Sequence, residues 1–140
     1  MSNQLEKVCN FYADFTQASL LQMPELYSQD CLFRDPVQEV EGLHSLTRYF
    51  GQMTATLNYC QFEFHSRIEQ GDSAFLSWTM RFSHPRLNKG AGLLLSGVTE
   101  LHFANGKIQS HYDYYDLGAM LYEHLPVLGR LIKLVKSKVA

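Results

Sequence analysis

The chain has 140 residues, of which 46% are hydrophobic and 19% charged, and its formal net charge is -2. This length suits one domain whose core needs neither disulfides nor metal. So small a net charge gives no overall field that would attract nucleic acid or an anionic membrane, and no nucleic-acid binding is expected. No charged start is followed by an apolar core, and no run of about 18 apolar residues occurs, so neither a secretory signal nor a membrane span is predicted.

The cysteines and histidines show no metal-binding pattern. The three cysteines, Cys9, Cys31 and Cys60, lie in apolar segments and lack a CxxC spacing. They are predicted to be reduced, buried thiols of a cytoplasmic protein. The histidines have no spacing of metal ligands, and phosphate-binding or nucleophile motifs are missing from the sequence, so no metal and no cofactor is expected.

The N-terminal half is predicted to be mainly helical. Helical spacing over about residues 4–17 indicates an amphipathic helix, and its apolar positions are Leu5, Val8, Cys9, Tyr12 and Phe15. A short helix over residues 20–27 accommodates Pro24 only in its first turn or at a kink. The segment "CLFRDPVQEVEG" is extended, because Pro36 disfavours helical backbone at Asp35. A third helix begins after Gly42.

The C-terminal half is predicted to form four long strands: "CQFEFHSRIEQ", "SAFLSWTMRF", "LLLSGVTELHF" and "IQSHYDYYD". Gly71 and Asp72 mark the first turn, and the Asn-Gly pair of "ANGK" marks the last hairpin. Alternation places one apolar set on a single face of the second strand: Leu76, Trp78, Met80 and Phe82. The pattern predicts an α+β domain in which N-terminal helices cover one face of a curved antiparallel sheet.

Residues 117–140 are predicted to form a C-terminal helical extension of the single domain over residues 1–140. A break is expected near Pro126 and Gly129, and Asp116 is expected to cap the first helix of the tail. The segment "GRLIKLVKSK" is a basic amphipathic helix. It either lies on a membrane surface or packs on its own domain or a second subunit with its lysines in water; the second arrangement is commoner in soluble proteins.

The last strand carries the clearest candidate functional residues. Alternation places His111, Asp113 and Tyr115 on one face of the strand. Aspartate is depleted in strands, so Asp113 calls for an explanation. A structural alternative is an ion pair of Asp113 with Arg81, Arg34 or His111.

Two motifs resemble a known family. "RDP" after the second helix and "GKIQSHYDYYDLG" at the last strand are similar to the SnoaL-like branch of the nuclear-transport-factor-2-like (NTF2-like) superfamily. That superfamily includes polyketide cyclases, ketosteroid isomerase, limonene epoxide hydrolase and scytalone dehydratase. The resemblance covers about Leu5 to Tyr122. It implies a cone-shaped fold, in which a strongly bent sheet surrounds a pocket whose mouth is closed by helices.

The resemblance to ketosteroid isomerase implies that Asp35 is the catalytic base. Phe11 then stands where the isomerase has its oxyanion tyrosine, and Thr99 stands where it has a protonated aspartate. Both donors that stabilise the enolate are therefore changed, and Tyr12 is expected to point elsewhere on its helix. Asp35 has a structural alternative as well, because an aspartate before proline can cap the turn.

The last hairpin resembles limonene epoxide hydrolase more closely. The match places Asp113 at an aspartate of that enzyme's Asp-Arg-Asp group. The other two members fall near Trp78 and Met80, which do not ionise, while Asp35 and Phe33 fall in the segment that orients water. Epoxide hydrolysis by the three-residue arrangement is therefore not expected.

The resemblance also implies that Asp35 and Asp113 converge on one pocket. Two carboxyl groups in an apolar pocket can divide the roles of acid and base. We predict Asp35, Asp113 and His111 as the catalytic residues. The predicted pocket and ligand-binding residues are Phe11, Tyr27, Phe33, Phe50, Trp78, Met80, Phe82, Thr99 and Tyr115.

The leading functional hypothesis is a cofactor-free isomerase, cyclase, dehydratase or hydrolase acting on an apolar ring-bearing compound. Asp35 accepts the proton, Asp113 and His111 form a second acid-base pair, and Tyr115 donates a hydrogen bond. One alternative is a binding or scaffold module that holds a lipid-like ligand without turnover. Another is membrane association through the basic tail helix.

The outer sheet face is predicted to meet a second copy of the chain. Its apolar residues are Phe75, Leu94, Val98 and Tyr114. An uncovered apolar face is a liability, and dimers of the superfamily often meet there, so a homodimer is expected.

Overall fold

The computed structural model describes residues 2–120 and 128–139. The N-terminal half contains α1 (Asn3–Ala13), a 3-10 turn (Ala18–Gln22), α2 (Met23–Leu26), β1 (Tyr27–Arg34), β2 (Glu39–Glu41) and α3 (Leu43–Thr56). Four long strands follow: β3 (Tyr59–Gln70), β4 (Ser73–Ser83), β5 (Leu93–Ala104) and β6 (Lys107–Tyr115). The tail contributes α4 (Leu117–Met120) and α5 (Leu128–Val139). The predicted α+β class and the C-terminal helix are confirmed.

The six strands form one curved sheet in the order β2-β1-β6-β5-β4-β3. Neighbouring strands are antiparallel as predicted, except that β1 and β6 run parallel. Hairpin turns fix the directions of β3 to β6, whereas β1 reaches the sheet from the helical half of the chain. Register shifts interrupt the β3–β4 pair between Phe64 and Arg67, and the β5–β6 pair between His102 and Phe103. Such irregularities bend a sheet.

The core lies between the helices and the inner sheet face. Strand β4 shows the predicted alternation, and its buried residues are Ala74, Leu76, Trp78, Met80, Phe82 and Ser83. Helix α1 buries Leu5, Val8, Cys9, Phe11 and Tyr12. Cys9, Cys31 and Cys60 are buried, unbonded thiols. The periodicity of the sequence therefore identified the core faces correctly.

Two helices are shorter than predicted. Helix α1 ends at Ala13, and Phe15 is buried beyond its end, where its amide donates to the Cys60 carbonyl at 3.1 Å. The predicted second helix divides into the 3-10 turn and α2, with Pro24 in the first turn of α2 as expected. Tyr27 already begins β1, because its backbone is extended and pairs with β6.

The described part of the tail consists of the two helices α4 and α5. The predicted break near Pro126 lies outside the described residues, and α5 begins at Leu128, so Gly129 lies inside it. Asp116 immediately precedes α4, and its Oδ2 accepts a hydrogen bond from Lys136 Nζ of α5 at 2.6 Å. Across residues 2–120 and 128–139, no helix has the length and apolar character needed to cross a bilayer.

Candidate functional site

An apolar cavity of about 160 Å³ lies against the inner sheet face. Its walls come from the end of α1, from β1, α3, β3, β4 and β6, and from the loops after β1, α3 and β4. Asp35 and Asp113 both line it, although they lie far apart in the sequence. The other lining residues are Tyr12, Phe15, Phe33, Val37, Tyr49, Phe50, Met53, Leu57, Phe62, Trp78, Met80, Phe82, His84, Leu87 and Tyr115.

Asp113 is held through one of its two carboxylate oxygens. Its Oδ1 accepts a hydrogen bond from Thr99 Oγ1 at 2.5 Å and lies 2.7 Å from His111 Nε2. The register places Thr99 opposite Asp113 on β5. The indole Nε1 of Trp78 donates to Thr99 Oγ1 at 2.8 Å and thereby orients that hydroxyl. The His111 pairing is one of the ion-pair partners anticipated from the sequence.

The second nitrogen of His111 joins a buried pair of phenols. His111 Nδ1 lies 2.8 Å from the Tyr27 hydroxyl, which lies 2.5 Å from the Tyr12 hydroxyl. We assign Nε2–H to the imidazole, because a carboxylate can only accept. Tyr27 then donates to Nδ1 and Tyr12 donates to Tyr27, so each proton of this row has an acceptor within the described chain. The hydrogen bonds of this row therefore all run in one direction, from Tyr12 through Tyr27 and His111 to Asp113.

The second oxygen of Asp113 is left without a hydrogen bond. Within residues 2–120 and 128–139, no hydrogen bond reaches Oδ2, and no fully buried polar side-chain atom lacks a partner. Oδ2 is therefore accessible, and 16% of the Asp113 side chain is exposed against 2% for His111. One oxygen is fixed and the other can take a proton from a ligand.

Asp35 is bound through both oxygens. Its Oδ1 accepts from the backbone amides of Val37 and Gln38 at 2.8 and 2.9 Å, so it caps the turn between β1 and β2. Its Oδ2 accepts from the Tyr49 hydroxyl at 2.6 Å. The turn-capping alternative for Asp35 is thus present in the structure, together with its place in the cavity wall.

The cavity phenols remain protonated hydrogen-bond donors. Burial raises the pKa of Tyr49 far above its usual value, and the hydrogen bond to Asp35 adds to this effect. Burial likewise raises the pKa of Tyr115, followed by the charges of Asp35 and Asp113. Burial also raises the pKa of Tyr12 and Tyr27 well above the usual range. Tyr115 makes no hydrogen bond with the described part of the chain, so its hydroxyl is available to a ligand.

The predicted site residues fall into three groups. Eight line the cavity: Phe33, Asp35, Phe50, Trp78, Met80, Phe82, Asp113 and Tyr115. Thr99 and His111 lie beside Asp113 at a small recess of about 10 Å³. Phe11 and Tyr27 are core residues that do not line either space, and Tyr27 reaches the site only through its hydroxyl.

The expectation that Tyr12 points away from the site was wrong. Tyr12 lines both the cavity and the recess, while its neighbour Phe11 packs beside it at 4.9 Å between ring centroids. Both residues are buried, so apolar spacing on α1 could not show which ring faces the sheet. Tyr49 and Phe62 were also missed, although each belongs to a periodic apolar segment. Across the described ranges, no cluster of three His, Cys, Asp or Glu residues suits a metal ion.

The chain is similar in sequence to a known domain family and in structure to several solved proteins. A sequence model of the SnoaL-like domain matches residues 8–111. None of the curated protein sequences matches the chain. An NTF2-like protein of unknown function from Burkholderia pseudomallei has a similar structure, with a TM-score of 0.75 and 19% identity over 86% of this chain and 96% of that one.

Two further solved structures are similar to this chain. A proposed SnoaL-like polyketide cyclase from Shewanella putrefaciens has a TM-score of 0.73 and 16% identity, over 86% of this chain and 94% of that one. A proposed hydroxylase from Streptomyces galilaeus has a TM-score of 0.71 and 19% identity, over 93% and 98%. These likenesses show the NTF2-like fold. Because the family match spans most of the chain, this protein belongs to the SnoaL-like family.

Proposed function

We propose that this protein binds a small, apolar, ring-bearing molecule in the cavity and moves a proton within it by acid-base catalysis. The observation that carries the proposal is the asymmetry of Asp113. Its Oδ1 is held by Thr99 and His111, whereas its Oδ2 has no hydrogen bond within the described residues and belongs to a side chain that lines an apolar cavity. A positioned carboxylate of this kind accelerates proton transfer by about a hundredfold to ten-thousandfold.

The cavity size supports a ligand whose buried part is about one ring. Its volume is about 160 Å³. An engineered apolar cavity of about 150 Å³ in another protein binds benzene, so a single six-membered ring is the matching size. Most lining residues are aromatic or aliphatic, and the polar groups that face them are few. This composition favours a ring with one oxygen substituent over a charged metabolite.

A cyclic ketone with a carbon-carbon double bond one position beyond the carbon beside the carbonyl illustrates the chemistry. Asp113 Oδ2 takes a proton from the carbon beside the carbonyl, and the electron pair of that C–H bond moves to place negative charge on the carbonyl oxygen. The Tyr115 hydroxyl donates a hydrogen bond to that oxygen. Asp113 then returns the proton to another carbon of the conjugated system, so isomerisation requires no co-reactant. His111 and Thr99 hold Asp113 in place throughout.

The sequence predicts Asp35 as the proton acceptor, and we propose a different division of labour. Both oxygens of Asp35 already accept hydrogen bonds, from two backbone amides and from Tyr49. A substrate proton can therefore reach either oxygen of Asp35 only in competition with one of these hydrogen bonds, whereas Asp113 keeps one oxygen without a hydrogen bond in the described chain. Asp35 therefore holds Tyr49 in the cavity wall, and Asp113 is the first candidate for the base.

Deuterium exchange tests the proposal without knowledge of the natural substrate. Cyclohex-2-enone in D2O is followed by proton NMR with and without the protein. We expect the wild-type chain to accelerate exchange beside the carbonyl and Asp113→Asn to lower that rate about a hundredfold or more. Asp30→Asn is the matched control, because Asp30 is exposed on β1 and should leave the rate unchanged.

A second candidate function is ligand binding without turnover, favoured by the closed hydrogen bonding of Asp35. Trp78 is the single tryptophan and lines the cavity, so its fluorescence reports occupancy. If cyclohex-2-enone changes the Trp78 fluorescence but its deuterium exchange is no faster than in buffer alone, the binding function is supported and the enzymatic function is overturned.

We also propose that the single domain forms a homodimer through the outer sheet face. Phe75, Leu94, Val98 and Tyr114 are exposed there, and Leu94 is exposed by 69%. Burial of such a patch is favourable by about 25 cal/mol per Å². Sedimentation velocity should show a dimer that Leu94→Lys dissociates, and a wild-type monomer at micromolar concentration would contradict this.

A further inference from the structure

Helix α5 presents an apolar stripe to solvent, defined here as Leu131, Leu134 and Val135. These residues follow the i, i+3, i+4 spacing of one helix face. Their exposed fractions are 56%, 52% and 54%, so more than half of each side chain is in water. Aliphatic residues grouped in this way are unusual on a solvent-facing helix. The stripe is suited to an apolar environment that lies outside the described chain.

The contacts of α5 with the domain use a different side of the helix. Ile132 is half-buried, and its Cγ2 would lie 3.7 Å from a side chain added at Gly118. Lys136, one turn further along, donates to Asp116 at 2.6 Å. Ile132 and Lys136 therefore face α4, and the stripe is turned away from it, since residues one position apart on a helix differ by about 100°.

The charge of α5 is concentrated and of one sign. Its twelve residues include Arg130, Lys133, Lys136 and Lys138 and no Asp or Glu. The whole chain has 12 Lys and Arg against 14 Asp and Glu. The residues outside α5 therefore hold eight cations and 14 acids, so the small net charge of the protein conceals a basic helix on an acidic body. Arg130, Lys133 and Lys138 are exposed.

We infer that α5 is a surface-seeking helix that docks this protein on anionic lipid bilayers, with the stripe in the acyl boundary and the basic side chains among the headgroups. A polar face rich in lysine beside an aliphatic face is the composition of interfacial helices. Twelve residues rise about 18 Å, too short to span a bilayer but long enough to lie along its surface. The inference is independent of the proposed reaction.

Self-association through the stripe is less suited to this charge pattern. A two-fold contact between two α5 helices pairs the same face of both copies, and like charges then face one another because every charged residue of α5 is basic. An anionic bilayer instead attracts each lysine or arginine near its surface. Charge complementarity therefore favours lipid over a second copy of the helix.

Vesicle co-sedimentation of the full chain tests the inference. We expect the protein to pellet with vesicles of phosphatidylcholine mixed with phosphatidylglycerol, and not with phosphatidylcholine alone. Raising the ionic strength from about 0.1 to 1 M should release it, since the screening length falls from about 10 to 3 Å. The triple variant Arg130→Gln, Lys133→Gln, Lys138→Gln should lower the partition coefficient about fivefold per charge, or about a hundredfold in all.

The control is a triple variant of equal net charge, Lys7→Gln, Arg86→Gln, Lys107→Gln, whose three residues are exposed on the body of the domain. It should pellet like the wild type. A second variant, Leu134→Ser, should weaken pelleting while keeping every charge. Equal loss in both triple variants, or no preference for anionic vesicles, overturns the inference. So does a dimer in sedimentation velocity that Leu134→Ser dissociates, without vesicle binding, because the stripe would then belong to a second copy.

Discussion

At the scale of single residues, the site is a directed row of hydrogen bonds. Tyr12 and Tyr27 donate from one side through His111, and Trp78 donates from the other side through Thr99. Both arms end on the same oxygen of Asp113. A carboxylate fixed by two donors on one oxygen keeps the lone pairs of the other in a constant direction, which is what a general base requires.

Removal of the Tyr27 hydroxyl tests this row of hydrogen bonds most directly. We expect Tyr27→Phe to lower the free energy of unfolding by about 1–3 kcal/mol, because it leaves His111 Nδ1 buried without a donor. Urea denaturation measures the loss. Nitrogen-15 NMR of His111 should show mainly Nε2–H in the wild type and a changed tautomer ratio in the variant.

Tyr59→Phe is the matched control for this prediction. Tyr59 is exposed at the start of β3 and its hydroxyl makes no hydrogen bond with the described chain, so removing it should change stability by less than about 0.5 kcal/mol. Equal effects of the two variants, or an unchanged tautomer ratio, would show that Tyr27 does not orient His111.

Alternation in β6 was sufficient to predict that His111, Asp113 and Tyr115 share one face, and the family resemblance implied that this face is the inner one. It could not reveal the partners of His111, because those depend on how α1 rotates against the sheet and where β1 enters. The choice between Phe11 and Tyr12 is such a case, since one turn of helix buries both rings. Residue type and spacing were therefore enough to predict the site residues on β6, whereas tertiary packing determines which helix residues reach the site.

At the scale of elements, β5 makes room for a large side chain of β4. Gly97 lies opposite Trp78 in the β4–β5 register. A Cβ at Gly97 would lie 2.4 Å from Trp78 Cη2, so only glycine allows the indole to lie across β5 and reach Thr99. Glycine inside a strand often marks such a close approach.

We expect Gly97→Ala to displace Trp78 from the cavity wall and to destabilise the fold by about 1–3 kcal/mol, the usual cost of overpacking. Trp78 fluorescence and urea denaturation measure both effects. Gly51→Ala is the control of opposite sign. Gly51 lies inside α3, and a Cβ added there would be 3.8 Å from Leu20 Cδ1, an ordinary van der Waals contact. This substitution should stabilise that helix by about 0.5–1 kcal/mol. An unperturbed Trp78 spectrum in Gly97→Ala would contradict this account of β5.

The order of elements was predictable because each long segment has one clear period. The parallel pairing of β1 with β6 was not, since local periodicity carries no information about which distant strand a segment joins. Helix ends were also misplaced. The chain leaves α1 at Asp14 so that Phe15 can enter the core beside Phe50, with 5.1 Å between ring centroids, and this contact overrides the helical spacing.

At the scale of the whole molecule, the core buries groups that ionise at alkaline pH. Burial raises the pKa of the Cys60 thiol to about 12 and that of Tyr12 and Tyr27 well above the usual value. In the unfolded chain cysteine releases its proton at about pH 8.5 and tyrosine at about pH 10. The folded state then binds more protons than the unfolded state, so stability falls as pH rises.

We therefore expect the free energy of unfolding to be constant near neutrality with respect to these groups and to decline above about pH 9. Each group contributes a slope of about 1.4 kcal/mol per pH unit between its unfolded and folded pKa. Urea denaturation across this range measures the slope, and Cys60→Ala should flatten its first part. A free energy of unfolding that stays level up to about pH 11 would contradict the prediction.

The account depends most on the claim that Asp113, and not Asp35, is the base of the cavity. The direct test compares Asp113→Asn with Asp35→Asn in the cyclohex-2-enone exchange assay, because each change keeps the shape of the side chain and removes its charge. We predict that Asp113→Asn lowers the rate about a hundredfold or more, while Asp35→Asn retains most of it. The reverse order, with Asp35→Asn inactive and Asp113→Asn active, would contradict the account.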